Sequence, residues 1–300
     1  LIQNAEDNLY PDGVTPSLSL TLKQDRIIID SNESGFTVAN IEAICKIGQS
    51  TKSGKKGYIG EKGIGFKSVF KVAHKVHVQS EPYSFAFEHH TGDDGLGMLT
   101  PLDEKYEPVP VGIQTRIILH LREDCDRAER RQEFLRLPDT LLLFLENLKQ
   151  LSINIELPNY PQNHTTYHLK AHNASTGVLK NRVFIEKSYG QSVDRYDFWI
   201  KRRMISDMPF HEARKDNLKA EVVLAFPLDE HETPSCGPQH IYAFLPLRNE
   251  NFKVRDIRFI EPKKLIVAKR SFSFNLISSP LQIERMLQNV HGIFDCGRKL

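Results

Sequence analysis

Gly57-Tyr58-Ile59-Gly60-Glu61-Lys62-Gly63-Ile64-Gly65-Phe66-Lys67-Ser68 packs four glycines into nine residues directly before a predicted helix start at Phe66–Val72. Glycine brings no packing volume, so such a run implies a backbone function. Without a Cβ, the chain can turn its N–H groups toward a ligand through positive φ, and the following helix N-terminus adds partial positive charge. Together these features predict an anion cradle, most readily for phosphate. Lys52, Lys55, Lys56 and Lys62 surround it with mobile positive charge. A flexible glycine-rich surface loop would have a similar composition. No Gly-Lys-Ser/Thr closes the run, and no strand leads directly into Gly60, so neither standard P-loop nor dinucleotide-binding spacing applies.

Upstream of the loop, Leu1–Tyr10 reads as the end of an amphipathic helix stopped by Pro11-Asp12-Gly13. Asn4, Asp7 and Asn8 lie three and four residues apart and share a face. A carboxamide oxygen there is a hard ligand suited to Mg²⁺, although a polar solvent face would look the same. Residues 17–22 alternate with period two, and a tight turn at Gln24-Asp25 joins them to residues 26–30 as a hairpin. A helix is predicted from Thr37 to Ile47, with Thr37 as N-cap and Gly48 past its end. Downstream, strands are predicted at 75–79, 83–88, 115–121, 152–157, 167–171, 221–226 and 241–245. Residues 138–150, with Pro138 at the start, predict a further helix. No clear hydrophobic period continues after about residue 251.

Composition bounds the function only broadly. The 300 residues include 40% hydrophobic and 26% charged side chains, with net charge +2, as in an ordinary globular chain in which nucleic acid is not indicated. Cys45, Cys125, Cys236 and Cys296 are widely spaced without a CxxC pair, which predicts reduced thiols in an intracellular, cytoplasmic or nuclear protein. No apolar run approaches the roughly 20 residues of a membrane helix, so no membrane role is expected. The start at Leu1 reads as a fragment of a longer chain.

The segments LIQNAEDN, SNESGFT, IGQSTKSG, GYIGEKGIGFKSVF and GIQTRIILHL, in that order over residues 1–122, resemble the successive ATP-site motifs of the gyrase, heat-shock-chaperone, histidine-kinase and mismatch-repair ATPase superfamily. Their wording is similar in particular to the sacsin and NO VEIN-like branch. The resemblance implies a two-layer α/β sandwich, the superfamily's ATP-binding (Bergerat) fold, followed by a smaller α+β domain. The implied division is 1–137 for ATP binding, 138–250 as a transducer-like region and 251–300 as an irregular tail.

Residue by residue, the resemblance implies Asn4 as the Mg²⁺-binding asparagine and Asp7 as a carboxylate lining the pocket. The general-base glutamate of the family pattern falls before Leu1, and Glu6 lies on the wrong side of Asn4 to replace it. In the second motif Gly35 matches the second glycine and Phe36 the hydrophobic residue after it. Counting back without a gap puts Ser31 at the adenine-reading aspartate, whereas a one-residue shift puts Asp30 there; Asn32 and Glu33 are further candidates. Ser50, Thr51 and Lys52 match the start of the ATP lid. Gly60, Gly63, Ile64, Gly65 and Phe66 match the phosphate loop, and Thr115 the threonine that supports the adenine aspartate.

The function so implied is Mg²⁺-dependent ATP binding, with slow hydrolysis coupled to lid closure in the full-length protein, in a chaperone-like or regulatory role. Its partners would be ATP and a protein client or the protein's own C-terminal domains. The alternative is a pseudo-ATPase, gated by nucleotide or free of it, that serves as an interaction scaffold.

Overall fold

The computed structural model describes residues 1–45, 66–89, 101–172, 181–205, 220–231, 241–243, 245–246 and 266–270. Its centre is the hairpin expected from the Ser-Leu-Ser-Leu-Thr-Leu alternation. β1 (Ser17–Lys23) buries every second residue and pairs antiparallel with β2 (Arg26–Ser31). Leu18, Leu20 and Leu22 therefore share one face with Ile27 and Ile29.

On the far side of β2 follow β3 (Ala73–Ser80), β4 (Tyr83–Glu88), the two-residue β5 (Leu102–Asp103) and β6 (Thr115–Leu121). The free edge of β1 takes β7 (Gln150–Glu156) in parallel, matching Leu18 to Leu151, Leu20 to Ile153 and Leu22 to Ile155. β8 (Asn163–Ala171), β9 (Arg182–Tyr189), β10 (Ser192–Ile205) and β11 (Ala220–Pro227) continue antiparallel from there, and β12 (Ile241–Ala243), β13 (Leu245–Pro246) and β14 (Ile266–Arg270) complete the sheet. The order is β13-β12-β14-β11-β10-β9-β8-β7-β1-β2-β6-β3-β4-β5, one mixed sheet.

The expected two-layer α/β sandwich followed by a smaller α+β domain is thereby overturned. Strands after residue 150 extend the first sheet, because β1 and β7 present leucine and isoleucine on the same face and continue one apolar surface. Among the described residues the helices are too few and short to build a second layer. α1 (Ile2–Glu6) has five residues, α2 (Val38–Cys45) eight and α3 (Arg127–Leu135) nine, and α3 buries none of its side chains.

The predicted helix over 138–150 is also corrected. Only a 3₁₀ turn at Leu141–Phe144 forms, and Leu141, Leu142, Leu143, Phe144 and Leu145 are all buried. Five consecutive apolar residues leave an α-helix no solvent face, so the run packs as a plug over the sheet and then extends into β7. Each such side chain contributes roughly 1.5–3 kcal/mol by leaving water. α3 had no apolar period to reveal it; Asp126, whose carboxylate caps the N–H groups of Ala128 and Glu129, is the signal that marks its start.

Candidate functional site

The apolar face of the central strands ends in a polar row. Ser31, Thr115 and Ser80 lie opposite one another on β2, β6 and β3, one step beyond Ile29, Ile117 and Val78 in the same alternation. All three are buried, at 5%, 3% and 0% exposure, so each hydroxyl needs a partner from the protein or a ligand. Ser80 Oγ lies 2.8 Å from Thr115 Oγ1 and accepts the Phe36 N–H at 2.7 Å. Ser31 Oγ lies beside the Tyr10 phenol without a hydrogen bond of full geometry.

Gly35 holds φ at +88°, and a Cβ there would stand 3.3 Å from Ser80 Oγ. A side chain would thus meet both an unfavourable backbone region and a crowded neighbour. This geometry seats Phe36, partly buried, against the core and lets its N–H reach Ser80.

Asp30 and Asn32 are placed otherwise. Asp30 points to the opposite face of β2, where Arg116 grips its carboxylate with two charge-assisted bonds of 2.7 and 2.8 Å. Asn32 accepts the Ser17 N–H and donates to the Thr15 carbonyl, both at 2.8 Å, tying down the entry to β1. Ser31, the residue between them, is the one that shares a face with Thr115. Glu33 is buried in the turn after β2.

α1 is attached to this end of the sheet. Tyr10 donates to the Ala5 carbonyl at 2.8 Å, and Leu9 accepts the Ser34 N–H at 2.8 Å. Burial pushes the Tyr10 phenol up; the Ser31 hydroxyl opposes this, while the carboxylates of Glu33 and Glu6 add to it. The phenol therefore marks where α1, β2 and the following turn meet. Asn4 is half-buried on α1, and Asp7 is buried at its C-terminal cap. One amide oxygen and one carboxylate within a helical turn fit the oxygen-donor preference of Mg²⁺, which keeps several waters and needs few protein ligands.

Glu6 has a different task. Its carboxylate accepts the backbone N–H groups of Glu146, of Asn147 at 2.9 Å and of Leu148 at 3.0 Å, while Asn147 Nδ2 donates to the Glu6 carbonyl at 2.7 Å. Sequence reasoning missed this clamp because its partners lie some 140 positions away and are main-chain groups. Ser80 and Tyr10 were missed for a similar reason, since no local motif surrounds either one.

Ser50, Thr51, Lys52, Gly60, Gly63, Ile64 and Gly65 lie outside the described residues. Phe66 opens the 3₁₀ turn Phe66–Lys71 that leads into β3. No helix among the described residues is long and apolar enough to cross a membrane.

No family model matches. Protein NO VEIN of Arabidopsis thaliana is 48% identical over 98% of this chain, which spans 12% of that protein's length. Chaperone protein HtpG of Nitrobacter winogradskyi is 29% identical over 39% of this chain and 21% of its own length. The mitochondrial heat shock protein 75 kDa of Rattus norvegicus is 30% identical over 42% of this chain and 21% of its own length. A solved N-terminal domain of a DNA repair protein aligns with 89% of this chain and 78% of its own at 13% identity, with a TM-score of 0.37, too low to establish a shared fold. The 48% identity over 98% of the chain carries the resemblance to the NO VEIN-like branch, and the weaker chaperone matches over 39% and 42% of the chain fit the gyrase, heat-shock-chaperone, histidine-kinase and mismatch-repair ATPase superfamily.

Proposed function

We propose that the chain binds ATP with Mg²⁺ at the end of the central strands and that a longer protein containing it hydrolyses ATP slowly. The observation that carries this reading is the buried hydroxyl row Ser31–Thr115–Ser80, capped by Gly35 and Phe36 and adjoining the helix that bears Asn4 and Asp7. Asn4 would hold the metal through its amide oxygen, with Asp7 next to it. Bound Mg²⁺ would neutralise charge on the terminal phosphates, and the backbone around Gly60, Gly63 and Gly65 would cradle them. Ser31, Thr115 and Glu33 would face the base. The work driven by such a cycle would be chaperone-like or regulatory, on a protein client or on other domains of the same protein.

Calorimetric titration of the chain with ATP, in Mg²⁺ and in EDTA, tests this. Mg²⁺-enhanced binding is the expected result, and no binding by a folded sample overturns it. Gly63→Ala with Gly65→Ala should weaken binding by at least about tenfold, because strain of about 1–3 kcal/mol enters at each position that needs positive φ. Unchanged affinity would remove the phosphate-loop assignment.

A second reading, a scaffold that takes no nucleotide, draws on one specific observation. The Asp30 carboxylate is already engaged by Arg116, and the residue opposite Thr115 is Ser31, which the ungapped match puts at the position of the superfamily's aspartate. A hydroxyl is a weaker reader of an adenine amino group than a carboxylate.

A further inference from the structure

We infer that Glu6 is a positioning residue, which locks the helix bearing Asn4 and Asp7 onto the segment that opens the second half of the sheet. The inference rests on the ATP reading above and deepens it. Glu6 is 3% exposed and sits between the two residues assigned to the metal side of the site. An ionised carboxylate buried this deeply needs several donors, and here three successive main-chain N–H groups, those of Glu146, Asn147 and Leu148, supply them. The return bond from Asn147 Nδ2 to the Glu6 carbonyl makes the attachment reciprocal.

The clamped segment is placed to pass on a movement. It follows the plug Leu141–Leu145, which is wholly buried against the sheet. It leads directly into β7, where the N–H groups of Lys149 and Gln150 both donate to the Pro16 carbonyl at the entry to β1. A shift of α1 would therefore pull on residues 146–148, on the start of β7 and on β1, with which β7 pairs in parallel. Coupling of this kind is reciprocal. If the clamp holds Asn4 and Asp7 in their metal-binding arrangement, occupancy of the site must in turn tighten the clamp.

Glu6→Gln tests this with little change in shape. The amide retains one acceptor oxygen and turns its own NH₂ toward a main-chain N–H, so at least one of the three bonds is lost and one contact becomes repulsive. Asn147→Ala is the milder companion, since Asn147 is exposed and loses only the return bond. Two readouts are needed, namely hydrogen exchange of the 146–148 amides with and without Mg·ATP, and ATP affinity in Mg²⁺ against EDTA.

The expected result is that Mg·ATP slows exchange at 146–148 in the wild-type chain. Glu6→Gln should lose that protection and lower affinity about tenfold in Mg²⁺, with a smaller loss in EDTA; Asn147→Ala should lower it about two- to threefold in Mg²⁺. A merely structural role would lower both affinities by the same factor. Equal losses, or wild-type affinity in a folded Glu6→Gln protein, overturn the inference and leave the ATP reading standing. Should Glu6→Gln fail to fold, Asn147→Ala decides by the same ratio. A wild-type chain that binds no Mg·ATP overturns the ATP reading and this inference together.

Discussion

The two faces of the central strands treat polar residues in opposite ways. On the apolar face, polarity is confined to one end, where Ser31, Thr115 and Ser80 follow rows of isoleucine, valine and leucine. On the other face, charged pairs flank the apolar patch of Ile28, Ile118 and Ala86. Arg116 pairs with Asp30, Lys75 reaches Glu104 and Glu88, and the segment 101–110 lies over them through Gln79 Nε2 to the Glu107 carbonyl at 2.7 Å. In the first arrangement Ser80 and Thr115 bond each other, and Ser31 Oγ at the strand end has no hydrogen bond of full geometry. In the second, carboxylates and cations already satisfy one another. Adjacent residues on one strand therefore have unrelated roles, because a step of one residue exchanges the faces.

The largest effect expected from breaking this contrast is at Asp30. Asp30→Ala leaves Arg116 partly buried without its carboxylate, and a loss of about 2–4 kcal/mol is expected in chemical denaturation. ATP affinity of the folded variant should change less than twofold, whereas Ser31→Ala should weaken ATP binding with little loss of stability. The reverse pattern would place the base-reading group on the charged face.

A smaller effect is expected at Gly35. Gly35→Ala forces a Cβ into positive φ and against Ser80 Oγ, which should cost about 1–3 kcal/mol in thermal or denaturant melts. Because Phe36 N–H would be pulled from Ser80, nucleotide affinity should fall as well.

The smallest effect is the acid response of the charged face. Burial depresses the His77 imidazole below its ordinary value near 6.5, although Glu104 and Glu107 oppose this. Burial likewise depresses His120, assisted by Arg26 and Lys75. With both folded values below the unfolded one, the unfolded chain takes up protons first on acidification. Stability is therefore full above about 6.5 and declines as pH falls through that value. Denaturation midpoints measured between pH 7.5 and 5.5 should show the decline, and His77→Gln should flatten it. A midpoint that rises on acidification would reverse the assignment.

Local pattern was enough for the hairpin of residues 17–31, for the strands around Val78 and Ile117 and for the placement of Thr115, because burial of one strand face writes itself into alternate residues. It failed at residues 141–145, where an unbroken apolar run carries no period and a helix and a buried plug look alike. It failed for α3 for the opposite reason, since a helix with no buried face has no apolar stripe to read.

The sequence by itself determined the glycine-rich run of residues 57–65, the order of its companion motifs and the alternation that makes β1 and β2 a hairpin, all of which are properties of neighbours along the chain. Only the tertiary structure decided that Asp30 belongs to Arg116, that Ser31 shares a face with Thr115, that β7 joins the free edge of β1 and that Glu6 holds residues 146–148. Each of these depends on pairing between segments far apart in sequence, where register and burial, rather than residue type, select the partner.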